Sequence, residues 1–337
     1  MINLPHVKDL PLGQKRVLLR TNYDIPLEKG QLVDTSRIDE SLTTLNFLLK
    51  KQAQVVILSH LGRPGGKTKP ELSLKPVATY LSGLLKRKII LFSKLEEIDN
   101  TQPVVMLENL RFFKGEENND VSFSKRIATL GDFFINEAFA CSHRPHASII
   151  GLPQFLTSAF GFDFIKEVEV LTQVYRQARR PLVLVLGGVK ADKIHLAHQL
   201  VGWADKILIG GKIVQGKEAQ KILDHKNVIG TLIRDKNDIT METIQEFKKI
   251  IAQAGTVIWA GPMGQYEEKK WEQGTREIAQ AVVQSGAFTV IGGGDTEAAL
   301  SRFGLTQKVN FISSGGGAMF EFLVQGTLPG IEAVIKR

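Results

Sequence analysis

A single cysteine, Cys141, stands in 337 residues, which excludes an internal disulfide and a thiolate metal cluster. No stretch approaches the roughly 20 apolar residues that a membrane span needs. The opening residues carry Pro5, His6, Lys8 and Asp9 in place of the apolar core of a signal peptide. Repeats and low-complexity segments are missing too, and no basic run is interleaved with aromatics in the way a nucleic-acid groove requires. These absences lead us to expect a cytoplasmic protein with neither a nucleic-acid nor a membrane partner. What is present agrees: 43% hydrophobic and 23% charged residues are ordinary for a globular chain, and the length suits two domains better than one core. A net charge of +8, with pI ≈ 9.4, favours anionic partners.

Short unbroken runs of Val, Ile, Leu and Phe alternate with longer mixed segments. They predict strands at 16–20, 54–59, 89–92, 104–107 and 132–136, then at 182–186, 206–209, 257–259, 288–291 and 309–312. Unbroken apolar runs suit strands covered on both faces. Helical spacing recurs over 36–51, 121–130, 241–254 and 274–285. The pattern is α/β with parallel sheets. A stretch punctuated by Gly, Pro and Ser at 148–161 precedes a long helical run at 162–180, and we place the boundary there, between domains 1–155 and 156–325.

In the first half, Arg20, Asn22 and Asp24 fall on one face of a strand exit, because strand side chains alternate. The loop S59-H-L-G-R-P-G-G-K-T68 ends like a phosphate-binding P-loop, but that pattern needs glycine where Leu61 stands. The P-loop is rejected, and His60 and Arg63 remain as basic groups leaving a buried strand. E108-N-L-R-F112 and H143-R-P-H-A-S148 add Arg111 and Arg144 past further strands, and Arg37 opens a helix. Any one of these arginines could be a surface ion-pair partner. Gathered on one sheet edge, they would hold a small molecule bearing phosphate and carboxylate.

In the second half, glycine clusters at 187–188, 210–211, 292–294 and 315–317 follow strands. They can bring backbone N–H groups close to a phosphate, or simply permit tight turns. In G292-G-G-D-T-E, Asp295 is either a helix cap or a contact for Mg²⁺. A carboxylate beside a phosphate cradle needs a bridging cation, so we favour the metal. Lys190 and Lys193, at i and i+3 beside Gly188, suit a polyphosphate.

Taken in order, RTNYDIP, SHLGRP, ENLRF, EAFACSHRPHAS, LGGVKADKI, WAGPMGQYEE, IGGGDTEAAL and SSGGGAMFEFLVQGTLPG resemble the phosphoglycerate kinase family along nearly the whole chain. The resemblance implies two doubly wound, Rossmann-like parallel-sheet domains separated by a cleft and joined by a hinge helix. It also implies a tail, 326–337, that packs back on the N-terminal domain. The implied activity is reversible transfer of the acyl phosphate of 1,3-bisphosphoglycerate to MgADP, giving 3-phosphoglycerate and ATP, by a monomer that closes about its hinge. By the same resemblance Arg20, Asn22, Asp24, Arg37, His60, Arg63, Arg111 and Arg144 are triose-binding, and Arg37 also reaches the transferring phosphoryl group. Lys190, Gly294 and Gly317 join Arg37 in catalysis. Gly188, Lys193, Gly211, Glu267, Gly292, Gly293, Gly294, Asp295 and Thr296 bind the nucleotide, with Asp295 on Mg²⁺.

Four features depart from the family pattern. Asn22 and Asp24 exchange the usual Asp and Asn. The lysines lie three apart where four is usual. Ala260 replaces an asparagine, and several dozen residues are absent between 211 and 238, where the adenine pocket is normally built. Two readings therefore stand at this stage: an active phosphoglycerate kinase, or a catalytically weakened relative that binds triose phosphate or nucleotide as a sensor or scaffold. A dinucleotide-dependent dehydrogenase is excluded, since no G-x-G-x-x-G follows a strand.

Overall fold

The computed structural model describes residues 3–99, 102–189, 192–231, 233–234 and 237–336, with main chain only at 192, 233 and 234. The chain divides into two compact units, Met1–Glu169 with Thr327–Arg337, and Val170–Gly326.

In the first unit the strands are β1 (Arg16–Arg20), β2 (Gln54–Leu58), β3 (Ile90–Phe92), β4 (Val104–Leu107), β5 (Phe133–Asn136) and β6 (Thr157–Phe160). They pair in parallel in the order β3-β4-β2-β1-β5-β6. The helices are α1 (Ser36–Lys50), α2 (Lys75–Leu85), α3 (Lys114–Glu117), α4 (Val121–Ala128) and α5 (Phe162–Gln177). Alternate residues of one strand serve opposite faces. Val17, Leu19, Val55 and Ile57 pack with Leu45 and Leu48 of α1 and Val77 and Leu81 of α2. Leu18, Val56, Leu58 and Phe134 pack with Phe123 and Ile127 of α4. Both faces are thus covered, which is why the strand sequences run apolar without alternation.

A buried acid just past β5 meets the start of α5. Glu137 accepts hydrogen bonds from Thr44 Oγ1 at 2.6 Å, from the Asp163 N–H at 3.1 Å and from the Phe164 N–H at 3.4 Å. A Cβ at Gly161 would lie 1.9 Å from Glu137 Oε2. Burial pushes the Glu137 carboxyl up to about 7 in spite of these donors. A raised carboxyl pKa favours the folded state below the unfolded value, and that stability drains away as pH rises through the folded value. The unaltered protein is therefore expected to lose about 3 kcal/mol between about pH 4.5 and pH 7 through this group. Glu137→Gln should lack that component. Urea midpoints of both proteins at pH 5 and pH 8 check it, and an equal fall in both would remove Glu137 as its source.

The second unit has β7 (Leu182–Leu186), β8 (Lys206–Ile209), β9 (Val228–Gly230), β10 (Thr256–Ala260), β11 (Phe288–Gly292) and β12 (Phe311–Ser313), again all parallel, in the order β9-β8-β7-β10-β11-β12. Its helices are α6 (Asp192–Gln199), α7 (Lys217–Leu223), α8 (Met241–Ile251), α9 (Gln273–Gln284), α10 (Gly294–Arg302) and α11 (Gly316–Gln325). Val183, Val257 and Trp259 pack against Ile244, Phe247, Ile278 and Val282 of α8 and α9. Strands are added outward from β7 to β9 on one side and then from β10 to β12 on the other, so the strand order reverses between β7 and β10, and in such sheets a crevice opens at that switch point. The chain then returns to the first unit as α12 (Pro329–Ile335), where the Gly330 N–H donates to the Ser142 carbonyl at 2.8 Å. No single helix among the described residues is long and apolar enough to cross a membrane.

Several elements are absent from the sequence reading. β6 is short and partly polar, β9 has only three residues, and two-residue hairpins at Leu27–Glu28 with Gln31–Leu32 and at Ile233–Arg234 with Asp238–Ile239 are too short to leave a pattern. β12 begins two residues later than expected. The Asn310 side chain takes the Thr289 N–H at 2.8 Å, so a side chain substitutes for the ladder at that point.

Candidate active site

In the first unit the exits of β1, β2 and β4 converge. Arg111, just past β4, is buried; its Nη1 donates to the Gly62 carbonyl at 2.6 Å and Nε lies 3.5 Å from Glu117 Oε1. Its Nε and Nη2 are buried without a hydrogen-bond partner, and unmet buried donors are costly. Asp24 accepts from the Gly62 N–H at 2.8 Å and so anchors the loop that bears His60 and Arg63. Asn22 is half-buried beside Cys141, with 3.9 Å between Oδ1 and Sγ. Arg37, on the first turn of α1, donates through Nη1 to the Asp24 carbonyl. Arg63 is exposed. Arg144 is half-exposed and donates from Nε to His143 Nε2 at 3.3 Å.

The electrostatics of this cluster are one-sided. Burial, and then the Arg20, Arg111 and Arg144 charges, hold His60 well below its usual value. Burial and the Arg144 charge bring His143 down to about 4. Burial and the Arg111 charge bring His146 down to about 3. All three imidazoles are therefore neutral near pH 7. Glu116 and Glu117 offset part of the positive charge, and an incoming anion would offset the rest.

In the second unit a cavity of about 420 Å³ opens at the switch point, between the exits of β7, β8, β10 and β11. Gly188, Gly211, Met263, Gln265, Glu267 and Asp295 are among the residues on its wall. Gly261 has φ +98°, and a Cβ there would sit 2.1 Å from the Gly187 carbonyl oxygen. Only glycine lets the two strand exits meet so closely. The Gly188 N–H donates to the Pro262 carbonyl at 2.8 Å, so that donor serves the turn. Lys193 Nζ lies 3.2 Å from the Gly187 carbonyl oxygen and 3.4 Å from that of Ala260, at the cradle's edge.

Asp295 is exposed on the first turn of α10, whose N-cap is Gly293, so it does not serve as the cap. Tyr266 is pushed up to about 12 by burial and then by the Glu267 and Asp295 carboxylates, and both acids are on the cavity wall. Among the described residues no group of three or more His, Cys, Asp or Glu side chains could hold a metal by itself, so a cation here would depend on ligand oxygens beside these carboxylates. Thr296 is buried; its Oγ1 accepts the Gly261 N–H at 2.7 Å and donates to the Gly292 carbonyl at 3.2 Å. It thus ties the exits of β10 and β11 together. Gly292 is buried, Gly293 and Gly294 begin α10, and Gly317 lies exposed on the first turn of α11. Lys190 lies outside the described residues.

The sequence reading passed over Glu116, Glu117, His146 and Ser148 in the first unit and Asp238 in the second. Asp238 Oδ2 accepts the Gly274 N–H at 2.9 Å, and a Cβ at either Gly264 or Gly274 would come within 2.2 Å of its Oδ1. The signal available in each case was an acid, a histidine or a serine in a polar segment.

The family model for phosphoglycerate kinase matches residues 7–221 and 214–326. The chain belongs to the phosphoglycerate kinase family. Among curated relatives it is 38% identical to the phosphoglycerate kinase of Thermomicrobium roseum, covering 98% of this chain and 99% of that one. It is 36% identical to that of Finegoldia magna, covering 100% of both. The solved phosphoglycerate kinase of Coxiella burnetii superposes with a TM-score of 0.84 at 34% identity, covering 99% of this chain and 100% of that one. That of Pyrococcus horikoshii gives 0.86 at 26%, covering 98% of each. The Finegoldia magna alignment runs over 395 positions against 337 residues here, so several dozen have no counterpart in this chain. The two pieces of the family match meet at 214–221, within the stretch expected to be shortened.

Proposed function

We propose that this phosphoglycerate kinase transfers the acyl phosphate of 1,3-bisphosphoglycerate reversibly to ADP, with the triose site in the first unit and the nucleotide site in the second. The observation that carries the triose assignment is Arg111, a buried guanidinium whose Nε and Nη2 face no hydrogen-bond partner among three neutral histidines. Arg63, Arg111 and Arg144 meet phosphate and carboxylate, while Asn22 and His60 offer neutral hydrogen bonds. Arg20 supports them from behind. Lys193 and the first turns of α10 and α11, with Gly294 and Gly317, receive the nucleotide phosphates, and Glu267 meets the ribose. Asp295 would hold Mg²⁺, which supplies charge neutralisation on those phosphates when bound.

The acyl phosphate is already activated, so no general base is required, and positioning with charge stabilisation carries the transfer. Arg37 and Lys190 steady the phosphoryl group in passage. Because triose and nucleotide are assigned to different units, transfer requires hinge closure, which also excludes the water that would hydrolyse the acyl phosphate. We place the enzyme in the cytoplasm as a monomer, on its composition and family.

The test is turnover of purified protein with 3-phosphoglycerate and MgATP, coupled to glyceraldehyde-phosphate dehydrogenase and read as NADH loss. Binding of both substrates by calorimetry without turnover would replace the kinase by the weakened, ligand-binding relative. That alternative draws on the altered segment beside the cavity. Repeating the assay with GTP reads how far the shortened segment still selects the base.

A further inference from the structure

Arg20 does not reach open space. Its side chain is fully buried and every polar edge is engaged. Nε donates to Ser148 Oγ at 2.7 Å, Nη1 donates to the Thr21 carbonyl, and Nη2 meets His60 Nδ1 at 3.2 Å. Behind it lies Glu116, also fully buried. The Ser148 hydroxyl accepts from Arg20 and passes its own hydrogen to Glu116 Oε1 at 2.5 Å, while the Ser148 N–H donates to Oε2 at 3.0 Å. Glu116 Oε1 is 3.9 Å from Arg20 Nη2, the counter-charge that a buried guanidinium needs.

This chain of contacts decides one proton. A guanidinium can only donate, so His60 Nδ1 must accept from Arg20. A neutral imidazole carries one ring hydrogen, and it is then on Nε2, the edge that faces Asp24 Oδ2 at 3.8 Å. Asp24 is partly exposed, so this is the edge that a ligand meets. In the other tautomer that edge would offer a lone pair, which repels phosphate or carboxylate oxygen.

We propose that Glu116, acting through Ser148 and Arg20, is a positioning residue that locks His60 as the Nε2–H tautomer and keeps a hydrogen-bond donor on the ligand edge of the triose site. The role of that donor rests on the triose-site reading; the lock itself does not. Ser148→Ala interrupts the relay but keeps both charges, and Glu116→Gln keeps the shape but removes the anchoring charge. The other groups bearing on His60 are Arg111, Arg144 and His146; Ser148→Ala keeps the charges of all three and of Glu116, whereas Glu116→Gln also removes the carboxylate that lies 3.9 Å from His146 Nδ1.

The decisive measurement is the ¹⁵N spectrum of the His60 ring in the free, full-length protein. The unaltered protein is expected to show a protonated Nε2 and a bare Nδ1, and both variants a mixture of tautomers. Calorimetry with 3-phosphoglycerate should then show affinity falling in proportion to the Nε2–H fraction, about threefold if that fraction drops to a third. If Glu116→Gln does not fold, Ser148→Ala decides. A pure Nε2–H spectrum in a folded variant, or a spectrum of the unaltered protein showing Nδ1 protonated, overturns the lock. An altered tautomer with unchanged affinity overturns its role in binding. Failure of the unaltered protein to bind 3-phosphoglycerate at all would refute the triose reading and leave the spectral result standing.

Discussion

Replacing Arg37 with alanine is expected to lower kcat by roughly 10²–10³-fold while 3-phosphoglycerate affinity falls less than about tenfold. The residue sits on the first turn of α1 with Nη1 on the Asp24 carbonyl, beside the groups we propose to bind the triose. A cation that stabilises charge developing in the phosphoryl group contributes in the transition state and little to the bound ground state, so the loss belongs in kcat. Steady-state kinetics in the direction of ATP consumption, with calorimetric binding in parallel, separate the two quantities. Equal losses in both would reduce Arg37 to a binding contact. Arg37→Lys should recover part of the rate, since it restores charge without the planar fork.

Arg111→Met should behave in the opposite way: affinity for 3-phosphoglycerate falls roughly 100-fold or more, with a smaller change in kcat. The reason is burial. Nε and Nη2 of Arg111 lack hydrogen-bond partners inside the protein, and burial together with the Arg144 charge lowers its pKa. Its charge therefore destabilises the ligand-free site until an anion arrives. Methionine fills similar volume without those donors, so the stability of the free protein is expected to change by less than about 1 kcal/mol even though the Gly62 contact is lost. Urea denaturation and calorimetry on the same sample check both halves. A large loss of stability would show Arg111 to be a structural brace.

How much of this was written in the sequence depends on the kind of residue. The strands 16–20, 104–107, 182–186 and 206–209 were read with their observed limits, because a strand covered on both faces carries an unbroken apolar run, here bounded by Arg16, Arg20 and Lys206 in two of the four. β6 and the two hairpins were not, since polar or two-residue strands carry no period. Arg111 and His60 were legible because arginine and histidine at strand exits are conspicuous. Asp295 was legible as a choice between cap and metal contact, and the structure shows that Gly293 holds the cap position. Thr296 and Arg20 were named as ligand contacts, whereas the fold turns both side chains inward, one tying two strand exits and the other paired to Glu116.

The sequence by itself determined the two-sheet α/β architecture, the basic character of one half and the glycine exits of the other, because these follow from hydrophobic pattern and backbone sterics along short stretches. Only the tertiary structure decided which buried cation keeps unmet donors and which is neutralised by a buried partner. Glu116 and Ser148 stand 96 and 128 residues from Arg20 in sequence, and the partner of a buried charge is a matter of three-dimensional proximity that local patterning does not encode.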